Sequence, residues 1–364
     1  MSVDVPPPWP GLRLLQALPP EAAHRLALLG LSQLGRGARW LFPPPPPAPC
    51  RVVGIDFQNP VGLAAGLDKD GRYVDALGQL GFGFVEVGTV TPRPQPGNPP
   101  PRLFRLAEHR ALINRLGFNN DGVDCLVARL ASRRYQGVLG VNIGKNADTP
   151  LAAAGDDYGY CLERIYGLAD YVAVNLSSPN TPNLRDLQRA TALRRLVEPL
   201  VEQREQLAAR HRRRVPLVIK LAPDLSPAEV EAIAQVLLEC GIDGAIATNT
   251  TVARPGLEEE PRARESGGLS GEPLGAQATA VVAQLHRATG GQLPIIASGG
   301  VMTVADARAK REAGASLVQL YTGLIYRGPG LIDAIVRDWL ALGAGAADSP
   351  RPSPSPQAST SSGS

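Results

Sequence analysis

Apolar residues along this chain gather in eight short continuous runs. Each is followed by a longer stretch in which apolar positions recur every three or four residues. The runs fall at 61–65, 82–87, 138–143, 171–176, 217–221, 245–248, 295–298 and 317–321, and β-branched side chains are frequent in them. The stretches between, for example 74–80, 122–134, 187–210 and 228–239, carry the period of an amphipathic helix. Strands apolar on both faces, alternating with helices, predict a parallel sheet covered on both sides. Ser226-Pro227-Ala228-Glu229 reads as a helix start, with a capping Ser, Pro at the first helical position and a Glu that reaches back. Gly241 and Gly314 stand where helices should stop. Eight such units predict a (β/α)8 barrel over residues 51–342, with an open doubly wound sheet as the alternative.

The ends do not share this pattern. Residues 1–50 hold two short apolar stretches, 11–18 and 21–34, and a run of prolines at 43–47. They predict a short helical extension joined to the barrel through a stiff spacer. Residues 343–364 are Ala/Gly and then Ser/Pro, and are expected to be a disordered tail. No segment approaches the ~20 apolar residues of a membrane span, and the start lacks the pattern of a secretory signal. The chain has 364 residues, 44% of them hydrophobic, which is ample for a core without covalent staples. Its cysteines, Cys50, Cys125, Cys161 and Cys240, are scattered, with no Cys-x-x-Cys pair and no His at ligand spacing, so no metal site is expected. A net charge of +3 gives no reason to expect a nucleic acid partner. A reducing, cytoplasmic setting is the expectation.

The residues just beyond each strand carry the chemical signal. The runs lead in turn into Gly66-Leu67-Asp68-Lys69, Gly88-Thr89, Asn142-Ile143-Gly144-Lys145 and Asn175-Leu176-Ser177-Ser178-Pro179-Asn180. The later ones carry Lys220, Thr248-Asn249-Thr250, Ser298-Gly299-Gly300 and Tyr321-Thr322-Gly323. In a barrel all eight ends meet on one face, where such enzymes place their chemistry. The glycine-rich turns after the last two strands, with a further one at 267–271, would aim backbone N–H groups at a phosphate. There is no G-x-G-x-x-G, Walker loop or H-E-x-x-H, so a mononucleotide such as FMN fits better than a dinucleotide.

At these residues the chain resembles class 2 dihydroorotate dehydrogenase, the membrane-associated, quinone-linked flavoenzyme of pyrimidine synthesis. The resemblance runs from about Pro19 to Asp338. It rests on AAGLDKDG (64–71), EVGTVTPRPQPGNP (86–99), LINRLGFNN (112–120), NIGKN (142–146), NLSSPNTP (175–182), KLAPDLS (220–226), ATNTT (247–251) and GGLSG (267–271). It implies FMN-dependent oxidation of (S)-dihydroorotate to orotate, with Ser178 as the base that removes the C5 proton. Related soluble enzymes carry Cys at that position. Ser is a weak base and needs a relay; Thr181 and Phe118 occupy the places where the family builds one. Lys69, Asn114, Arg115, Leu116, Gly117, Phe118, Asn175, Asn180, Asn249 and Thr250 would bind the substrate, because an Asn side chain both donates and accepts toward its amides. Ala65, Gly66, Leu67, Asp68, Lys69, Thr89, Asn142, Asn175, Lys220 and Thr248 would surround the flavin ring, and Gly271, Gly300, Tyr321 and Thr322 its phosphate.

The resemblance also implies that His24, Arg105 and Tyr321 contact a membrane quinone arriving between the N-terminal helices. A monomer lying peripherally on the cytoplasmic face of the cell membrane is expected. Two other readings remain open from the residues alone: a barrel lyase acting through Lys69 or Lys220 as a Schiff base, and a flavin-carrying membrane adaptor without catalysis.

Overall fold

The computed structural model describes residues 10–343, so the tail beyond Gly343 lies outside the described residues. The barrel expectation holds, and the doubly wound alternative does not. Eight parallel strands close on themselves: β1 (Val61–Leu63), β2 (Phe84–Val90), β3 (Val138–Ile143), β4 (Tyr171–Asn175), β5 (Leu217–Leu221), β6 (Gly244–Ala247), β7 (Ile295–Ser298) and β8 (Leu317–Leu320). Each pairs with its neighbours in chain order, and β8 pairs with β1, Val318 opposite Val61. The predicted helix starting at Ser226 forms as read. Its hydroxyl accepts from the Glu229 N–H while the Glu229 carboxylate accepts from the Ser226 N–H at 2.8 Å. The helix expected over 74–80 is shorter than its periodicity suggested, breaking after Leu77 into a 3-10 turn that ends at Gly81.

The barrel interior is graded from apolar to polar. Its lower layer is built from Phe84, Tyr171, Ala173, Val218, Ile246, Ile296 and Leu317. Two residues further along their strands, Phe84 gives way to Glu86, Val218 to Lys220 and Leu317 to Gln319, all buried. Side chains two apart on a strand share a face, so each strand takes its interior face from oil to hydrogen-bonding groups as it rises. Gly62 and Gly140 make room below. A Cβ on either would lie 2.2 Å from the Phe84 or Tyr171 ring. A short antiparallel hairpin, Cys50–Val52 with Ile55–Phe57, stoppers the lower end. Its Phe57 ring meets Phe84 edge-on at 5.2 Å.

Above the opposite rim, a three-stranded antiparallel sheet (Leu103–Leu106, Ala111–Asn114, Gly268–Gly271) forms a partial roof. Gly267–Gly271, read from sequence as a loop, is mostly strand here. Beside the roof lie α1 (Pro10–Ala17) and α2 (Pro20–Leu34). They are not held off on a spacer. Gln16 donates to the Ile325 carbonyl at 2.9 Å, Glu21 pairs with Arg102 at 2.7 Å, and Leu28 is buried in the main core. The proline run lies down as well: Gly81, at φ 93°, comes so close to Pro45 that a Cβ there would sit 2.4 Å from its ring.

Candidate active site

The polar strand ends converge on one cleft at the rim beneath the roof. Its walls include Ala65, Gly66, Lys69, Thr89, Asn175, Lys220, Thr248, Asn249 and Thr250 from β1 to β6. From β7 and β8 come Gly300, Tyr321 and Thr322, and from the roof Asn114 and Gly271. Leu116, Gly117 and Phe118 close one side, and Ser178 and Asn180 project from the loop after β4. Phe118 is held in the left-handed region (φ 53°), its carbonyl accepting from Asn120 at 2.7 Å.

The four predicted asparagines are joined in two pairs. Asn180 donates to the Asn114 carbonyl oxygen at 3.1 Å, and Asn249 donates to that of Asn175 at 3.3 Å. Asn175 donates in turn to Thr89 Oγ1 at 2.9 Å, and Thr89 Oγ1 to Asn142 Oδ1 at 2.5 Å. Asn142 is therefore a buried support behind the wall rather than part of it. Ser178 Oγ accepts from the Asn180 N–H at 3.2 Å. Its own proton has no acceptor among the described residues, and none of the histidines is its partner.

Several predicted residues stand back from the cleft. The Asp68 carboxylate turns away and accepts from the N–H groups of Arg72 (2.9 Å) and Tyr73 (2.7 Å). Arg115 points outward, its guanidinium over the Phe104 ring at 4.6 Å and bonded to Glu265 at 2.6 Å. It lines a shallower depression outside the rim with Pro101, Pro179 and Asn180. The Leu67 carbonyl faces α2, 2.7 Å from His24 Nε2. Burial and nearby Lys69 hold that imidazole below its ordinary range. Arg105 donates to the carbonyls of Gln16 and Leu18, where α1 turns into α2. Tyr321 lies within 3.2 Å of where a Cβ on Gly66 would stand, beside the cleft. The three quinone candidates thus border the junction of α1, α2 and the β1 and β8 loops.

Sequence reasoning missed Glu86, Gln319 and the Arg185–Asp224 clamp. Arg185 donates to the Ser177 carbonyl (3.1 Å), to the Thr250 carbonyl (2.8 Å) and to Asp224 (2.7 Å). One side chain therefore fixes the Ser178 loop to the ends of β5 and β6. Asp224 stands in the KLAPDLS segment, which was the available signal. Glu86 was visible as a charge inside an apolar run.

A closed parallel barrel that gathers lysines, amides and an unopposed hydroxyl on its C-terminal rim has the architecture of a (β/α)8-barrel enzyme. Residues 48–341 match the family model described as dihydroorotate dehydrogenase, and the chain belongs to that family. It is 56% identical over 331 residues to "dihydroorotate dehydrogenase (quinone)" of Halorhodospira halophila, spanning 89% of this chain and 95% of that protein. It is 55% identical over 332 residues to the protein of the same description from Pseudomonas aeruginosa, spanning 91% and 97%. Among solved structures it is similar to the dihydroorotate dehydrogenase of Eimeria tenella in complex with ferulenol, with TM-score 0.81 and 40% identity over 93% of each chain. The family is flavin-dependent.

Proposed function

We propose that this chain oxidises dihydroorotate to orotate with FMN as its flavin, and passes the electrons to a quinone at a membrane surface. The observation that carries the reading is the meeting, in one cleft, of the uncommitted Ser178 hydroxyl, the two asparagine pairs and the buried Lys220. The cleft also suits a flavin in detail. Gln319 Oε1 is buried without a partner, and Lys220 makes no hydrogen bond of its own among the described residues, so an acceptor and a cation wait on the floor. At Gly300 (φ 73°) and Gly271 (φ 99°) the backbone comes too close to its neighbours for any Cβ, as a phosphate cradle needs.

FMN bound there supplies the acceptor for the C6 hydride. Ser178 Oγ takes the C5 proton as it passes its own hydroxyl proton to solvent on the Thr181 and Phe118 side of the loop. The asparagine pairs orient the ring amides, each Asn keeping a donor or acceptor to spare. Arg185 holds the Ser178 loop in register. Adding dihydroorotate anaerobically to the yellow holoenzyme should bleach its visible absorption. A colour that persists would overturn the reading, and a colourless protein trapped by borohydride would replace it with the lyase.

Lys69 is placed to neutralise the substrate carboxylate. Its Nζ donates to the Gly66 carbonyl at 2.9 Å, and burial together with the Arg102 charge lowers its pKa to about 8. The ammonium form, which attracts the anion, is full below that pH and lost above it. The kcat/KM for dihydroorotate should therefore fall as pH rises through about 8. Lys69→Met should flatten that limb and lower kcat/KM by roughly 10- to 100-fold, the usual worth of a hydrogen bond to a charged group. An unchanged alkaline limb in the variant would remove Lys69 from this role.

The membrane part of the proposal rests on the outer face of the N-terminal helices. Leu14 is 74% exposed and Trp40 91% exposed, with Leu26, Leu29 and Leu41 half-exposed beside them. No helix among the described residues is long and apolar enough to cross a membrane. A surface of Leu and Trp on short helices suits the interfacial zone of a bilayer. We take the protein to be a peripheral monomer on the cytoplasmic face, with the quinone entering past His24, Arg105 and Tyr321; the exposed leucines and Trp40 support the membrane contact.

A further inference from the structure

Glu86 is fully buried in the polar layer of the barrel interior. Its Oε2 accepts from the Tyr171 hydroxyl (2.8 Å) and from Gln319 Nε2 (2.7 Å), and its Oε1 from Asn142 Nδ2 (2.9 Å). Lys220 Nζ lies 3.9 Å from Oε1. Three donors and an ammonium converging on one side chain are the setting of a carboxylate. A neutral side chain would present a donor to one side of this set, whereas a carboxylate accepts from all three on its two oxygens and also serves the lysine. Two ions buried in a barrel are costly to desolvate, and packing alone would be better served by apolar residues. The arrangement makes sense if the lysine must be an ammonium at the cleft floor, where burial works against that form.

We infer that Glu86 is the positioning residue that keeps Lys220 charged and turned toward the cleft, and that through Lys220 it sets the reduction potential of the bound flavin. This rests on the proposed seat of the flavin over Lys220. Burial lowers the Lys220 pKa and Glu86 raises it. The other side chains bonded to the Glu86 carboxylate are the amides of Asn142 (β3) and Gln319 (β8) and the Tyr171 phenol (β4), which burial and Glu86 hold well above its ordinary range. The layer beneath is apolar. Lys220 is therefore the group that would titrate once Glu86 lost its charge.

The test is the midpoint potential of the flavin in the holoenzyme from about pH 6 to about pH 9, a span that ends below the ordinary lysine pKa. Wild type, Glu86→Gln, Lys220→Met and the double variant are compared. Lys220→Met should lie below wild type throughout, since a cation stabilises the reduced, anionic ring. Glu86→Gln should start at or above wild type at the acid end and fall onto the Lys220→Met line at the alkaline end, with a break that the double variant lacks. A Glu86→Gln line parallel to wild type overturns the inference while leaving the flavin's seat intact. A Lys220→Met line coincident with wild type overturns the seat itself. Should Glu86→Gln fail to hold flavin, Lys220→Arg and the Glu86→Gln/Lys220→Arg pair decide, because a guanidinium keeps its charge without the carboxylate. Flavin restored in the pair supports the inference, and flavin held by Lys220→Arg but still lost from the pair refutes it.

Discussion

Replacing Ser178 by alanine should leave the flavin bound and slow its reduction by dihydroorotate by about 10²–10⁴-fold, the range that a positioned proton acceptor contributes. The half-reaction in a stopped-flow instrument isolates the step from quinone turnover. The substitution is mild for the fold. Ser178 Oγ accepts one long bond, 3.2 Å from the Asn180 N–H, and the loop is anchored independently through Arg185 to Ser177, Thr250 and Asp224. No other side chain with basic character stands ready to substitute. Lys69 holds the Gly66 carbonyl and is assigned to the substrate carboxylate, and Lys220 lines the cleft floor with its charge paired to Glu86. A near-normal single-turnover rate in Ser178→Ala would mean that the proton leaves by another route.

Removing residues 1–42 should leave that half-reaction within a few-fold of normal while abolishing quinone turnover and binding to lipid vesicles. The cleft residues for substrate and flavin all lie beyond position 60, whereas the proposed quinone path needs α1, α2 and His24. The cut belongs before the proline run, because Pro45 packs on Gly81 and the Cys50–Val52 strand is half of the stopper under the barrel. A cut at residue 50 would confuse loss of the quinone path with damage to the core. Even the shorter deletion uncovers the surface on which Leu28 sits. Loss of one buried Leu weakens the fold by about 1.5–3 kcal/mol, so the kinetics should be taken well below the lowered Tm. Quinone kinetics unchanged in the truncated protein would discard the N-terminal path.

The barrel was legible because its signal repeats. Any single apolar run could have been a buried helix fragment, but eight in register with helical stretches admit few arrangements. The cleft was legible for a related reason: Asn175, Lys220, Thr248 and Tyr321 all lie at or just past the ends of strands, and strand ends must meet. The sequence did not show anything decided between segments far apart along the chain. Arg185 and Asp224 are 39 residues apart and look like ordinary surface charges until the loops are brought together. The seat of the prolines was hidden likewise, because only the folded chain shows Gly81 opposite Pro45. Glu86 was plain in FVEVGTV, yet its partners Tyr171, Gln319 and Lys220 come from three other strands. Arg115 and Asp68 sit inside motifs that do line the cleft, but their side chains face the other way. A motif says that the backbone passes a site; it does not say which residues look in.

The hairpin under the barrel has one more implication. With Phe57, Phe84 and Tyr171 meeting edge to face across its base, the described barrel is packed shut below and opens at the cleft above, which is its mouth. An aromatic occupant lodged in that mouth becomes its own cork. While it stays, the charged floor beneath is cut off from bulk water, and proton traffic there must wait on the comings and goings of whatever fills the neck.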